Sequence, residues 1–211
     1  MPMLRAGVLL ATALLMAMTS FAQSNAPAGT ALNMPSGQAI ETKLQTDLDA
    51  STLKPGDAVQ AETIHDVKHG HDMLLKKGSM LTGHIVKVQT FAEGTPSLIV
   101  ILFDQVTPKG GEAEKLDALM TALAPAPTVQ TDSLQDGRGM MQTNINAAVG
   151  GDKDLGNGGE LTANSVGVHG FRGVTLGTAL QSGKQYSTIQ STTGDLKIKK
   201  GAQIVFKAAE H

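Results

Sequence analysis

A short turn-and-strand template recurs four times in this chain and constrains the fold more than any other feature. Each copy has an apolar residue, two residues that are mostly Lys or Pro, a glycine, and then apolar residues at alternating positions. The copies lie at 34–40, 53–59, 75–81 and 198–204. Glycine in such a turn supplies a positive φ, and the alternation is typical of a half-buried strand. Because the copies are irregularly spaced, they predict a small barrel or sandwich rather than a solenoid.

The template and the apolar pattern place the strands. We expect strands at 38–46, 57–64, 79–90 and 96–106. Gly83 is predicted to mark a bulge, and the nearly all-apolar 96–106 is typical of a central strand buried on both faces. The segment 115–123 fits a helix or a strand, and its position after a hairpin turn favours a strand. The predicted fold is all-β: a small antiparallel β-barrel or sandwich, closed by the C-terminal strand, with a long Gly-rich insertion.

The glycine distribution predicts the domain organisation. Residues 132–183 hold 12 of the 24 glycines and few core-forming residues, which is typical of loop or disorder, with a short helix expected near 140–149. The predicted units are a signal peptide at 1–22, a flexible leader at 23–33, the main β-domain at 34–124, a Gly-rich flexible insertion at 125–168, and C-terminal strands that complete the β-domain at 169–211.

The first residues have the pattern of a cleavable secretory signal peptide. Arg5 charges the n-region, residues 6–18 are apolar, and Ser20 and Ala22 are the small residues before the cleavage site. The apolar stretch is too short to cross a membrane well. An uncleaved anchor is the alternative, although no stop-transfer cluster of charges follows. We expect an exported protein, periplasmic or secreted, with no transmembrane segment in the mature chain.

Composition disfavours several classes of function. The formal net charge is −2, without a basic excess, so nucleic acid and anionic membranes are not expected partners. The chain has no cysteine, which excludes disulfides, thiolate metal sites and lipid attachment. Aromatic residues make up 3% of the chain, which disfavours sugar-binding modules and single-strand nucleic-acid binders.

The order of these turns and strands resembles the C-terminal β-barrel of the TrbI family, the outer-membrane channel components of bacterial conjugation and type IV secretion systems. Residues 75–83 (Leu-Lys-Lys-Gly-Ser-Met-Leu-Thr-Gly) are similar to the family's Pro-x-Gly-Ser-x-Leu-x-Gly segment. Residues 34–37 stand at its opening, and 198–206 resemble its closing strand. The chain also resembles small exported bacterial proteins of unknown function that carry such a domain after a signal peptide.

The resemblance implies the barrel fold, but the departures concern the channel. A channel subunit of that family would have an inner-membrane helix, a Pro-rich periplasmic span and an apolar helical hairpin inserted late in the barrel. In this chain a signal peptide stands in place of the first two, and the insertion after Pro125 is polar and Gly-rich. We therefore expect the fold to carry over without the channel function.

The densest group of chemically active side chains lies at 65–72. The candidate metal ligands there are His65, His69, His71 and Asp72. Imidazole and carboxylate groups are ligands for Zn or Cu, and strand alternation would place His69 and His71 on one side. His84 could join from the next strand. The competing interpretation is a hairpin loop turned by Gly70, and Lys68 within the group opposes a cation.

Other motifs are incomplete. Residues 152–160 are similar in composition to a calcium-binding loop. They lack the Gly at the sixth position and the Glu at the twelfth position of an EF-hand, so a flexible linker fits better. No P-loop or nucleophile elbow is present. The pairs Lys76/Lys77 and Lys199/Lys200 would form a basic rim if their turns lay together, whereas solvated turn lysines are the competing interpretation.

Three functions are consistent with the sequence. The first is a non-catalytic exported envelope protein, a β-barrel scaffold or partner-binding module with an envelope or protein partner and no cofactor. The second is an exported metal-binding protein that uses the His65–His71 loop for Zn or Cu. The third is a hydrolase whose site has no recognised motif.

Overall fold

The computed structural model describes residues 31–127 and 159–209, where all regular structure is β-strand. The strands are Ala39–Leu44 (β1), Leu48–Asp49 (β2), Ala58–Thr63 (β3), Val67–His69 (β4), Asp72–Leu75 (β5), Met80–Gln89 (β6), Ser97–Thr107 (β7), Glu114–Ala124 (β8), Gly167–Val168 (β9), Val174–Gln181 (β10), Lys184–Ser191 (β11), Lys197–Ile198 (β12) and Gln203–Ala208 (β13). The predicted signal peptide, leader residues 23–30, insertion residues 128–158 with the helix at 140–149, and most of the calcium-like segment lie outside the described residues.

Six strands close into an antiparallel barrel in the order β1, β3, β6, β7, β8 and β13. The C-terminal strand β13 lies between β1 and β8, with Phe206 opposite Ile40 and Ile204 opposite Leu123. Pairing of β7 with β8 completes the ring. Closure pairs the strand edges that an open sheet would leave exposed. The predicted all-β barrel, closed by the C-terminal strand, is confirmed.

All four template copies are tight turns that lead into barrel strands. The glycines Gly37, Gly56, Gly78 and Gly201 have φ values of 75°, 95°, 87° and 91°. In each turn the residue after the glycine donates its N–H, at 3.1 Å, to the carbonyl two residues before the glycine. A positive φ at the third turn residue favours glycine, because a Cβ there would clash with the backbone. The turn-and-strand prediction is confirmed.

Two of these turns hold β1 and β13 together at both ends of the pair. The Gly37 N–H, before β1, donates to the Ala208 carbonyl at the end of β13 at 3.0 Å. The Gly201 N–H, before β13, donates to the Leu44 carbonyl at the end of β1 at 2.7 Å. Each turn thereby pairs backbone groups that the end of a strand would otherwise leave without a partner.

The other two turns do the same for β3 and β6. The Gly56 N–H, before β3, donates to the Ile85 carbonyl on β6 at 2.7 Å. The Gly78 N–H, before β6, donates to the Thr63 carbonyl at the end of β3 at 2.9 Å. The repeated template therefore corresponds to two reciprocal strand pairs that lie side by side in the barrel.

Strand β7 changes its neighbour halfway along one edge. Ile101 lies opposite Ser187 of β11, whereas Phe103 lies opposite Ala118 of β8. Where the two neighbours meet, the Met120 N–H donates to the Ser187 hydroxyl at 2.9 Å. The β10–β11 hairpin therefore continues the sheet outside the barrel.

Apolar side chains fill the barrel. The rings of Phe103 and Phe206 meet edge to face, with centroids 4.6 Å apart, and both residues are buried. Buried aliphatic side chains of every barrel strand pack around them. The interior is a packed core.

The expectation that 96–106 is buried on both faces was wrong for most of its length. Leu98 and Val100 are half-buried, whereas Ile99 and Ile101 are fully buried. Alternation appears because one face of a barrel strand points inward and the other outward. Burial on both faces is confined to the short stretch that includes Leu102.

The ambiguous segment 115–123 lies in strand β8, as its position favoured. Residues 159–168 return along the end of that strand, where β9 runs parallel to it with Gly167 opposite Ala122. Leu161 is buried, and its N–H donates to Gln203 Oε1 at 2.9 Å. In the part of the chain that the structure describes, no helix is long and apolar enough to cross a membrane.

Candidate functional site

The predicted metal ligands belong to a small hairpin beside the barrel. Strands β4 and β5 form a two-stranded sheet of their own, and Gly70, with a φ of 61°, turns the chain between them. Val67 and Leu75 are buried at the base of the hairpin, whereas its tip is exposed. The interpretation of this segment as a hairpin turned by Gly70 is confirmed.

Three of the four candidate ligands belong to residues at the hairpin tip. His69 ends β4 and lies opposite Asp72, the first residue of β5, and His71 is in the turn between them. All three are exposed. The expectation that His69 and His71 share one side of a strand does not hold, because the chain reverses at Gly70.

The remaining candidate ligand, His65, and the histidine that could join the group, His84, lie away from the hairpin tip. His65 precedes β4, and its Nε2 is 3.5 Å from Glu41 Oε2 on β1. His84 lies opposite Ala58 at the start of β3, whereas the hairpin follows the end of β3. Within residues 31–127 and 159–209, no three His, Cys, Asp or Glu side chains form a group that could hold a metal. The Zn or Cu site stays a prediction.

A surface groove of about 610 Å³ lies between this hairpin and the barrel. Its lining residues are Glu62, Asp66, Met73, Lys76, Lys77, Gly78 and Lys109. The lining comes from β3, the hairpin segment, the third template turn and the turn after β7. We call this feature the lysine groove.

Two buried hydroxyl groups hold the third template turn, and one of them, that of Ser79, also bonds it to the turn of Lys109. Thr63 Oγ1 and Ser79 Oγ both donate to the Lys76 carbonyl, at 2.9 and 2.7 Å. Ser79 Oγ also accepts the backbone N–H of Lys109 at 3.0 Å. Because these bonds go to the main chain, they hold the backbone of both turns and leave the lysine side chains exposed.

The carboxylates of the lysine groove are already engaged. Asp66 Oδ1 accepts the backbone N–H of Lys77 at 2.8 Å. Glu62 Oε2 accepts a hydrogen bond from Gln45 Nε2 at 2.5 Å and lies 3.5 Å from Lys43 Nζ. These contacts orient the two acids within the protein.

Among the described residues, no carboxylate lies within ion-pair distance of the ammonium groups of the lysine groove. Lys76, Lys77 and Lys109 form no ion pair with a carboxylate of residues 31–127 or 159–209. By contrast, Lys199 Nζ in the fourth template turn lies 3.1 Å from Asp47 Oδ2. The lining therefore holds three ammonium groups and two carboxylates, a formal excess of one positive charge on a chain whose formal net charge is −2, and an anionic ligand is the one it suits.

The two lysine pairs do not form a common basic rim. The Lys76/Lys77 turn is bonded to the last residue of β3, and the Lys199/Lys200 turn to the last residue of β1. Strands β1 and β3 are antiparallel, so these ends point in opposite directions. The condition for a shared rim is therefore not met, and the exposure of all four lysines agrees with the other interpretation, solvated turn lysines.

Several residues of the lysine groove were missed by the sequence analysis. Glu62 and Lys109 reach it only because β3, β6 and β7 lie side by side, with Met80 opposite both Glu62 and Thr107. A signal existed: the Pro-Lys-Gly-Gly turn at 108–111 is a second lysine-and-glycine turn. Only the strand register shows that it adjoins the first.

No protein-family model matches the sequence. No curated protein matches it either. Among solved structures, the chain is similar to ComB10 of the Com type IV secretion system of Helicobacter pylori, with 13% sequence identity and a TM-score of 0.37 over 83% of this chain and 86% of that chain. Similarity at this level carries no functional argument. The barrel is established by the strand pairing within this chain.

Proposed function

We propose that this chain is an exported, non-catalytic envelope protein whose β-barrel is a scaffold for binding a protein partner. The observation that carries the proposal is the apolar core inside the barrel, in which the buried rings of Phe103 and Phe206 meet edge to face. A filled barrel positions surface groups rather than enclosing a ligand. The lysine groove supplies exposed groups of this kind, on turns that the Ser79 hydroxyl holds together.

Export and the TrbI-like assignment are parts of the same proposal. Export rests on Arg5, the apolar stretch 6–18 and the small residues before Gln23. The TrbI-like assignment is supported by 75–83, which forms a template turn and the start of β6 within a closed barrel. Neither feature assigns a channel to the chain.

Cell fractionation tests the export step. We expect the protein in the periplasm or the medium, with a mature N-terminus at Gln23. Replacing the small residue before the cleavage site, as in Ala22→Leu, should leave the precursor uncut, because signal peptidase reads small side chains there. A wild-type chain that keeps its N-terminus and stays in the cytoplasm would contradict the proposal.

Site-specific cross-linking tests the binding step. A photo-reactive residue in place of Met73, at the lysine groove, should form a protein adduct in intact cells. The same residue in place of Ser51, which is exposed on a turn after β2, is the matched control. The Met73 adduct should weaken in the Lys76→Gln/Lys77→Gln variant. Equal adducts at both positions, or none at Met73, would argue against a scaffold that binds through this surface.

A second candidate function is metal binding, which one specific observation favours. His69 lies directly opposite Asp72, with His71 in the turn between them, so three donor side chains start from one short exposed hairpin tip. Titration calorimetry with Zn and Cu, compared with the His69→Ala/His71→Ala variant, tests it. Absence of a heat change, or the same heat in the variant, would exclude this function. The hydrolase hypothesis has no comparable observation in its favour among the described residues.

A further inference from the structure

We propose that the lysine groove binds an acidic peptide segment, a stretch of polypeptide whose Asp or Glu side chains alternate with apolar ones. This inference rests on the proposed function, since it names the chemistry of the partner that the scaffold would hold. It is carried by the charge balance of the groove, by the fixed backbone of its turns, and by the one apolar side chain in its wall.

Charge complementarity selects an acidic ligand. The ammonium groups of Lys76, Lys77 and Lys109 have no carboxylate partner among the described residues. The two acids of the groove already have partners inside the protein, namely the Lys77 N–H, Gln45 and Lys43. An incoming carboxylate therefore gains charged donors without first having to break an ion pair.

The lysine groove is held in place before any ligand binds. Ser79 bonds the Lys76 carbonyl and the Lys109 N–H at once, so the two turns cannot separate without breaking buried hydrogen bonds. The Lys109 side chain also lies against the third template turn: its Cδ is 3.4 Å from the position that a Cβ would take on Gly78. Fixed attachment points lower the ordering cost of binding, because only the lysine side chains must settle.

The walls of the groove favour a peptide over a continuous polyanion such as polyphosphate. Met73 is 43% exposed at the wall and offers an apolar contact that a polyphosphate chain cannot use. Glu62 and Asp66 would repel an uninterrupted row of negative charge. A peptide spaces its carboxylates apart and can place an apolar side chain against Met73.

Fluorescence anisotropy with a defined probe tests this inference. The probe is a short fluorescein-labelled peptide that alternates glutamate with leucine, and its partner probe has glutamine in place of glutamate. We expect the full mature chain to bind the first probe more tightly than the second by about tenfold. Binding should weaken in 1 M salt, because the screening length falls to about 3 Å.

Matched variants separate the lysine groove from general surface charge. Lys76→Gln/Lys77→Gln and Lys199→Gln/Lys200→Gln remove the same charge from the same kind of turn at differently directed strand ends. We expect the first variant to weaken binding about tenfold and the second to change it by less than about twofold. Charge reversal, Lys76→Glu/Lys77→Glu, should shift the preference towards a lysine–leucine peptide. Thermal unfolding of each variant checks that the barrel remains folded.

The outcomes distinguish this inference from the proposed function. Equal weakening by the two lysine variants, or tighter binding of polyphosphate with no effect of Met73→Ser, would overturn the acidic-peptide assignment. If either of those results were found but the Met73 cross-link still formed in cells, the scaffold function would be kept and only the acidic-peptide assignment would be rejected. Loss of both the cross-link and the probe binding would remove the proposed function as well.

Discussion

The backbone N–H of Gly78 donates to the carbonyl of Thr63 at 2.9 Å, which joins a tight turn to the end of a barrel strand. In return, the Thr63 N–H donates to the Ser79 carbonyl at 2.9 Å. Gly201 and Leu44 make the equivalent contact in the other reciprocal pair, at 2.7 Å. The turn glycines therefore take part in the barrel ladder as well as reversing the chain.

Replacing a turn glycine should cost stability through backbone strain alone. At Gly56 the φ is +95°, and beyond its chain neighbours a Cβ there would meet no atom within 4 Å, so Gly56→Ala isolates the local backbone strain. We expect a loss of about 1–2 kcal/mol in the free energy of unfolding, measured in urea. Gly111→Ala is the control, since Gly111 is outside the left-handed region. Equal losses in the two variants would mean that conformation at Gly56 is not the cause.

A methyl group at Gly83 should be far more disruptive than one at Gly56. An added Cβ would lie 2.4 Å from the Leu102 carbonyl oxygen and 2.8 Å from Phe103 Cδ1, at the bulge between Thr82 and Gly83. Backbone atoms in a closed barrel cannot easily move aside, so we expect Gly83→Ala to lose about 2–3 kcal/mol. Thr82→Ala next to it should change the free energy of unfolding little. A loss below that of Gly56→Ala would contradict this account.

The aromatic pair should be the most costly core contact to remove. Phe206 is fully buried, with its ring 4.6 Å from that of Phe103, so Phe206→Ala leaves a large cavity. We expect a loss of about 3–5 kcal/mol in denaturant unfolding. Phe91→Ala, at a residue that is 40% exposed, is the matched control and should lose far less. Similar losses for both would show that the barrel centre is not the main core.

Removal of the Ser79 hydroxyl should loosen both lysine turns. Ser79→Ala leaves the Lys109 N–H without its Ser79 acceptor and removes one donor to the Lys76 carbonyl. We expect a loss of about 1–3 kcal/mol and faster amide exchange at Lys109. Ser36→Ala, in the exposed part of the first template turn, is the control. Unchanged exchange at Lys109 would show that the hydroxyl does not hold the turn.

Acid should weaken the fourth template turn, which contains Lys199 and Lys200. The Lys200 backbone N–H, followed by the Lys199 ammonium, lowers the pKa of Asp47 below its ordinary value of 3.8. The Ser51 hydroxyl and N–H lower the pKa of Asp49 in the same way. A carboxyl with a lowered folded-state pKa contributes stability above its unfolded pKa, and that stability is lost as pH falls through the folded-state pKa.

The resulting loss of stability should therefore begin near pH 4 and continue below it. Asp47→Asn/Asp49→Asn should show a smaller decrease in unfolding midpoint between pH 5 and pH 3 than the wild type, although its midpoint at pH 7 is lower. Thermal unfolding across this pH range measures the difference. Parallel curves for the two proteins would show that these carboxyls do not contribute to acid sensitivity.

Much of the fold could be predicted because it is encoded locally. Four glycines, each in a turn before alternating apolar residues, specify the turn conformation and the start of a strand with no reference to distant residues. The bulge at Gly83 was also readable, because a glycine inside a strand pattern is typical of one. The burial of β7 was predicted wrongly because a nearly unbroken run of apolar residues does not show that some of them, such as Leu98 and Val100, face outward and are only half-buried.

What the sequence by itself determined is where the chain turns, where its strands begin, and that the interior would be apolar. Tertiary structure alone decided which turns meet. It brought Lys109 beside Lys76, and it directed Lys200 away from both, although the two Lys-Lys-Gly turns are alike in sequence. The physical reason is that turns and strands depend on neighbouring residues, whereas the proximity of two turns depends on the order and direction of strand pairing around the closed barrel.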